Sequence, residues 1–366
     1  MMVDDLPVVK QLPDPFLKPD GARIQKREEW SHQRKYLQEL LLVNMYGHLP
    51  PVPGKISSSE TSSHPLDIGA MERSVLLKMG HNDSVQAHIT LTVPDGKGPF
   101  PVIISGDFNW GKVTPDIVKE VIKRGYMLAE FDRTEFAPDS ADRTHGVYPA
   151  YPAYTGGAIA AWAWGYHRMV DYLLSLPNVD KSHIAITGHS RGGKAALLAG
   201  ALDTRIALTA PNNSGCGGAG CSRFLYEGES IPRITEVFPF WFIPRLREFV
   251  GKINRLPVDQ HTLKSLVAPR ALLTTEGLGD NWANPRGTQI TWQATQEVYK
   301  FLGVPANNGI FYREGGHEHG LKDWETLLDF ADLQFHGKKT TRRFNELHFS
   351  PETAEFYSWS APVTLR

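Results

Sequence analysis

From about residue 27 to 47, KREEWSHQRKYLQELLLVNMYG, the apolar positions Trp30, Tyr36, Leu40 and Leu41 recur at helical spacing. The run stops at Gly47 before the proline-rich LPPVPG, which predicts an N-terminal helix lying on the main body. Two runs of strand character follow, SVLLKMG and VQAHITLTVP, joined through the turn-forming HNDS. They predict an antiparallel edge to a larger sheet.

From residue 101 the rhythm becomes strand, loop, helix. PVIISG precedes a helix near 114–124, and YMLAEFD precedes a long loop and the apolar helix GGAIAAWAWGYHRMVDYLLSLP. HIAIT leads into KAALLAGAL, which reads as a helix, and RIALTAP follows as the next strand. Residues 213–265 break this spacing and carry aromatics and prolines, as in FPFWFIPRL, so they read as a cap-like insertion. RALLTTEG and GIFYREGG resume the pattern with a helix near 288–302 between them. Repeated βα units predict an α/β fold with a mostly parallel central sheet and helices on both faces. With no internal repeat, the expectation is one domain over residues 1–366 with the insertion embedded in it.

Composition excludes more than it identifies. Apolar residues make up 41% of the 366 and charged residues 22%, an ordinary globular balance. A net charge of −1 provides no broad basic field for nucleic acid or an anionic membrane surface. No run approaches the ~20 apolar residues of a membrane span. The first thirty residues hold acids and four prolines and lack an apolar leader core. The expected location is therefore secreted or periplasmic if a leader has been removed, and cytoplasmic if Met1 is native. Two cysteines, Cys216 and Cys221, are too few for a disulfide framework or a zinc site; they read as two half-buried thiols or one local bridge.

The candidate chemistry centres on Gly188-His189-Ser190-Arg191-Gly192, a G-x-S-x-G sequence between a strand and a helix. Such a sharp turn has no room for Cβ atoms beside the serine, exposes Oγ, and brings backbone N–H groups and the positive helix end near any oxyanion that forms. The alternative is an ordinary glycine-rich βα turn whose serine caps the helix. A serine nucleophile needs a base, and the base needs an orienting carboxylate. Asp280, in GLGDNW, follows one strand, and His317 and His319, in GGHEHG, follow the next. The order Ser190, Asp280, His317 is that of α/β-hydrolases. His317 is preferred over His319 because two glycines precede it and let a short loop carry the imidazole across. Asp280 otherwise reads as a solvated turn acid. His317, Glu318 and His319 with Glu314 do not make the H-E-x-x-H spacing of a zinc site, so no metal is expected.

Gly-His-Ser-Arg-Gly-Gly-Lys, followed by RIALTAPNNSGCGGAGCSRF, GDNW and GGHEH, resembles the glucuronoyl esterases of carbohydrate esterase family 15, especially the bacterial members. The resemblance runs from the LPDPF opening to DWETLLDFAD near residue 330. It implies an α/β-hydrolase that cleaves, without cofactor, the ester between 4-O-methyl-glucuronic acid of xylan and lignin alcohols. By that resemblance Arg191 helps hold the oxyanion, Lys194 contacts sugar hydroxyls, Trp282 lines the uronate site, and Glu229 and Glu236 supply further sugar contacts. Many members carry a glutamate as the acid where Asn213 stands here, so the acid falls to Asp280. The residues alone leave Arg191 open as a surface ion pair and Trp282 as core filling. Lys194, four residues after Ser190, projects from the same helix face. An acetyl xylan or pectin-type methyl esterase, and an inactive carbohydrate-binding protein, are the rival readings. The expected partner is a glucuronoxylan-type ester, and the expected state a monomer.

Overall fold

The computed structural model describes residues 2–225 and 228–363. Its nine strands are β1 Ile56–Leu66, β2 Ala70–Met79, β3 Val85–Pro94, β4 Phe100–Ser105, β5 Met127–Phe131, β6 Val179–His189, β7 Leu208–Asn212, β8 Ala271–Gly277 and β9 Asn308–Arg313. They form one sheet in the order β1-β2-β3-β5-β4-β6-β7-β8-β9. β1, β2 and β3 pair antiparallel, β3 joins β5 antiparallel, and β5, β4, β6, β7, β8 and β9 run parallel.

Near-continuous apolar strands follow from burial on both faces, since successive side chains point to opposite sides. Val102 and Ile104 of β4 enter one core and Ile103 the other; in β6, Ile184 and Ile186 part from Ala185 in the same way. The larger core is covered by the helices Trp30–Leu41, Ala158–Leu173, Arg191–Leu202 and the inner face of Pro285–Leu302. Pro115–Lys123 and Leu321–His336 cover the smaller one. Helices on both faces of a mostly parallel sheet are the α/β-hydrolase arrangement expected from the sequence.

Three features differ from or refine the sequence reading. β1, ISSSETSSHPL, is exposed along most of its length. With no face to bury it lacks the alternation that reveals a strand, and pairing with β2 is what orders it. The N-terminal helix runs Trp30–Leu41 and continues as a wider π-type turn, Leu42–Tyr46, to Gly47. Cys216 and Cys221 are fully buried free thiols, neither bridged nor half-exposed, and burial pushes Cys216 up to about 12.

Among the described residues of 213–265, the helices are short: Ile231–Val237, Pro244–Arg247 and Gln260–Ser265. This segment packs inward through Trp241 and Phe242, both buried. Phe242 meets Tyr46 at 5.5 Å between ring centres, and Tyr46 Oη donates to the Gly217 carbonyl at 2.8 Å. No helix among the described residues is long and apolar enough to cross a membrane.

Candidate active site

β6 ends at His189 and the next helix begins at Arg191, leaving Ser190 alone at the turn with φ 54° and ψ −123°. A non-glycine residue held there costs about 1–3 kcal/mol, so its surroundings must enforce it. They do so by crowding. A Cβ at Gly188 would lie 2.5 Å from the Gly192 carbonyl oxygen, and one at Gly192 would collide with the Asp107 carboxylate. The Ser190 N–H donates to the Asn212 carbonyl at 2.9 Å. The N–H groups of Arg191, Gly192 and Gly193 open the helix without intrahelical acceptors, which sets the positive end of the helix dipole at Ser190.

His317 Nε2 lies 2.9 Å from Ser190 Oγ, and His317 Nδ1 lies 2.6 Å from Asp280 Oδ2. The three side chains therefore form one hydrogen-bonded line from an exposed hydroxyl to a buried carboxylate. Burial alone would raise the Asp280 carboxyl, but hydrogen bonds from His317 and Asn213 outweigh it and hold the group below its ordinary value. An ionised acceptor at Nδ1 keeps the proton on that nitrogen and leaves Nε2 free to take one from the hydroxyl. His319 does not join the line. It is stacked between His189 and Trp324, 5.9 and 5.4 Å between ring centres, and burial holds it well below the usual histidine range.

Arg191 Nη1 donates to Asp139 Oδ2 at 2.7 Å, and its guanidinium lies over the rings of Phe238 and Trp241, at 5.0 and 4.8 Å. Its Nε is buried without a partner in the protein. Lys194 is buried and bonds the Ser214 carbonyl at 2.7 Å and Glu229 Oε2 at 2.5 Å. The backbone N–H of Glu229 donates to the Trp282 carbonyl at 3.0 Å, so Lys194, Glu229 and Trp282 form one connected group beside the Asp280 loop. Trp282 is 43% exposed, which sets aside core filling. Glu236 stands apart: its side chain is 73% exposed and faces Arg233 at 3.8 Å. The structure brings the other sugar-contact candidates together and leaves Glu236 on the solvent side of its helix. No group of three or more His, Cys, Asp or Glu side chains among the described residues is placed to hold a metal.

The family description "Glucuronyl esterase, fungi" matches residues 78–303. A 4-O-methyl-glucuronoyl methylesterase of Wolfiporia cocos is 31% identical over 324 residues, 84% of this chain and 76% of its own length. The chain belongs to the glucuronoyl esterase family. A family 15 glucuronoyl esterase from Caldicellulosiruptor kristjansonii superposes on this esterase with a TM-score of 0.83 at 30% identity, covering 97% of this chain and 98% of that one. A variant glucuronoyl esterase from Sporotrichum thermophile, solved with methyl 4-O-methyl-beta-D-glucopyranuronate, matches with a TM-score of 0.81 at 26% identity over 96% and 94% of the two chains.

In this esterase the supporting groups are ones that sequence reasoning passed over. Asn213, at φ 43°, donates from Nδ2 to Asp280 Oδ2 at 2.5 Å. The amide that stands where relatives are expected to carry an acid thus braces the Asp280 carboxylate. Arg313, at the end of β9, pairs with Asp323 and reaches the carbonyls of Glu314, Gly316 and Glu318, fixing the loop that carries His317. Asp323 also accepts from Asn212 Nδ2 at 3.1 Å, and Asn212 Oδ1 accepts from His189 Nδ1 at 2.6 Å. Burial holds His189 down, to about 4, so it is neutral at ordinary pH. Asp107 accepts from the His189 N–H and from Arg133 Nη1, at 2.7 and 2.6 Å. Arg313, a charge that closes an apolar strand, was one available signal, and Asn213 had shown itself only as a missing acid.

Proposed function

We propose that this glucuronoyl esterase hydrolyses esters of 4-O-methyl-glucuronic acid by two-step acyl transfer, with Ser190 as nucleophile, His317 as base and acid, and Asp280 as its orienting carboxylate. The observation that carries the reading is the continuous hydrogen-bonded line from Ser190 Oγ through His317 to Asp280. Ser190 Oγ attacks the ester carbonyl while its proton passes to His317 Nε2, and the carbonyl electron pair moves onto the oxygen. The N–H groups at the start of the Arg191–Leu202 helix, with Arg191, hold that oxyanion. His317 returns the proton to the departing alkoxide, the alcohol leaves, and water enters by the same route to release the uronic acid and restore the serine.

The acyl part of the substrate is assigned to the group formed by Lys194, Glu229 and Trp282. Lys194 and Glu229 present fixed polar atoms suited to sugar hydroxyls, and the exposed Trp282 ring provides a face for a pyranose. Support for the uronate also comes from the relatives, one named for 4-O-methyl-glucuronoyl methyl esters and one solved with such an ester.

The test is turnover of methyl glucuronate set against acetylated xylan and methyl galacturonate, with Ser190→Ala as the control. We expect the glucuronate ester to be preferred and the variant to lose several orders of magnitude in rate. Preference for the acetyl or galacturonate ester removes the uronate assignment. Binding without turnover in the unaltered protein removes the esterase itself.

A further inference from the structure

We propose that Asn212 is a positioning residue that holds the nucleophile turn and the His317 loop in register with each other; this rests on the esterase reading above. β7 lies between β6, which runs into Ser190, and β8, which runs toward Asp280, and its last residue is Asn212. The strand register sets Asn212 beside His189 on one side and beside Thr275 on the other. Its side chain is fully buried, so each polar atom on it must find a partner inside the protein.

Each of them does. Oδ1 accepts from His189 Nδ1 at 2.6 Å, and Nδ2 donates to Asp323 Oδ1 at 3.1 Å and to Thr275 Oγ1 at 2.9 Å. The backbone carbonyl of the same residue accepts the Ser190 N–H at 2.9 Å. Asn212 thus holds both residues at the turn, His189 through its amide and Ser190 through its carbonyl. On its other side it reaches the base. Asp323 accepts from Arg313 Nε, its two oxygens lying 2.9 and 2.8 Å away, and Arg313 in turn donates to the carbonyls of Gly316 and Glu318, the two residues that flank His317. A second route is shorter. The His189 ring lies 4.5 Å from the His317 ring, and the bond from Nδ1 to Asn212 fixes the plane that His317 rests against.

Only an amide meets these demands, because His189 needs an acceptor at one end and Asp323 a donor at the other. A carboxylate of the same shape would set an oxygen against Asp323 Oδ1, and an apolar side chain would leave both His189 Nδ1 and that oxygen short of a partner. In either case the turn and the His317 loop are released from each other. Ser190 Oγ and His317 Nε2 are 2.9 Å apart, and a shift of about 1 Å between them is enough to cost about a hundredfold in rate. Among the described residues no hydrogen bond joins the Asn212 side chain to Lys194, Glu229 or Trp282, so the loss falls on kcat rather than on KM.

The experiment measures kcat and KM on methyl glucuronate, and the rate at which a fluorophosphonate labels Ser190, at a temperature below every melting transition. The proteins are the unaltered chain, Asn212→Asp, Asn212→Ala, His189→Phe, and His189→Phe combined with Asn212→Ala. Both Asn212 variants should lose about a hundredfold in kcat with KM within about threefold, and labelling should slow in step. In the His189→Phe background the same alanine should cost no more than about tenfold, because one of its two routes is already gone. A folded Asn212 variant with kcat within about threefold of the unaltered protein overturns the proposal. So does a loss confined to KM, or an equal cost of the alanine in both backgrounds. If neither Asn212 variant folds, His189→Phe decides: kcat should fall about tenfold, and unchanged kcat and labelling overturn the proposal. Failure of the unaltered protein to turn over methyl glucuronate would instead sink the esterase reading, and the labelling rates would still report on Asn212.

Discussion

Replacing Asp280 by asparagine exchanges one oxygen for NH2 and removes one charge, while leaving the side chain's shape almost unchanged. The proposed mechanism uses the charge. In it His317 becomes an imidazolium as Ser190 attacks, and its Nδ1 lies 2.6 Å from the carboxylate. Taking roughly 4 Å between charge centres and an effective dielectric constant of about 20, the attraction is about 4 kcal/mol. Lost from the transition state, that is about a thousandfold in kcat. An amide nitrogen turned toward Nδ1 would also favour the tautomer with its proton on Nε2, which cannot accept from Ser190, and this carries the loss toward 10⁴.

The assay is kcat on methyl glucuronate for Asp280→Asn, with thermal melting to establish that the variant is folded. A folded variant within tenfold of the unaltered protein would refute the charge argument and with it the role of Asp280. Stability supplies a second reading. The native Asp280 carboxyl is held below its unfolded value by His317 and Asn213, against the opposing effect of burial. Its contribution is therefore present above about pH 4 and disappears as pH falls through the native value. The stability difference between the two proteins should be constant near neutrality and narrow in acid.

Lys194→Ala leaves the Glu229 carboxylate buried without its cation and should cost about 3–5 kcal/mol in urea denaturation. Lys194→Met combined with Glu229→Leu should recover most of that stability without recovering activity; recovery of both would remove the pair from substrate binding. Gly188→Ala sets a methyl 2.5 Å from the Gly192 carbonyl oxygen, so the turn must open. We expect kcat to fall at least a hundredfold with a lower melting temperature, and a silent substitution would show that the turn is not sterically enforced.

How much of this was legible in the sequence depends on the range of the interaction involved. The turn around Ser190 is written largely within five residues, because a Cβ at Gly188 would meet the Gly192 carbonyl that the turn itself brings near, while the crowding at Gly192 comes from Asp107 on another loop. The parallel strands were legible because burial on both faces demands apolar runs, and β1 was not, because it buries neither. Asp280 and His317 could be placed at strand ends by chain order alone.

Partner choice was different. Glu229 and Glu236 lie seven residues apart and look equivalent in one dimension, yet one is buried against Lys194 and the other faces solvent and Arg233. His317 and His319 are separated by one residue; the two glycines before His317 favoured it in the sequence, and packing sends it to Ser190, 127 positions away, and His319 between two rings. Asn213 acts on Asp280, 67 positions later, so its role arises only when the sheet sets β7 and β8 side by side, whereas Arg313 acts on a loop and helix within ten residues of itself. Local sterics and burial periodicity are encoded in neighbouring residues. The direction in which a polar side chain finds its partner is decided by the strand order and by the low-dielectric interior, where an unpaired polar group is too costly to leave.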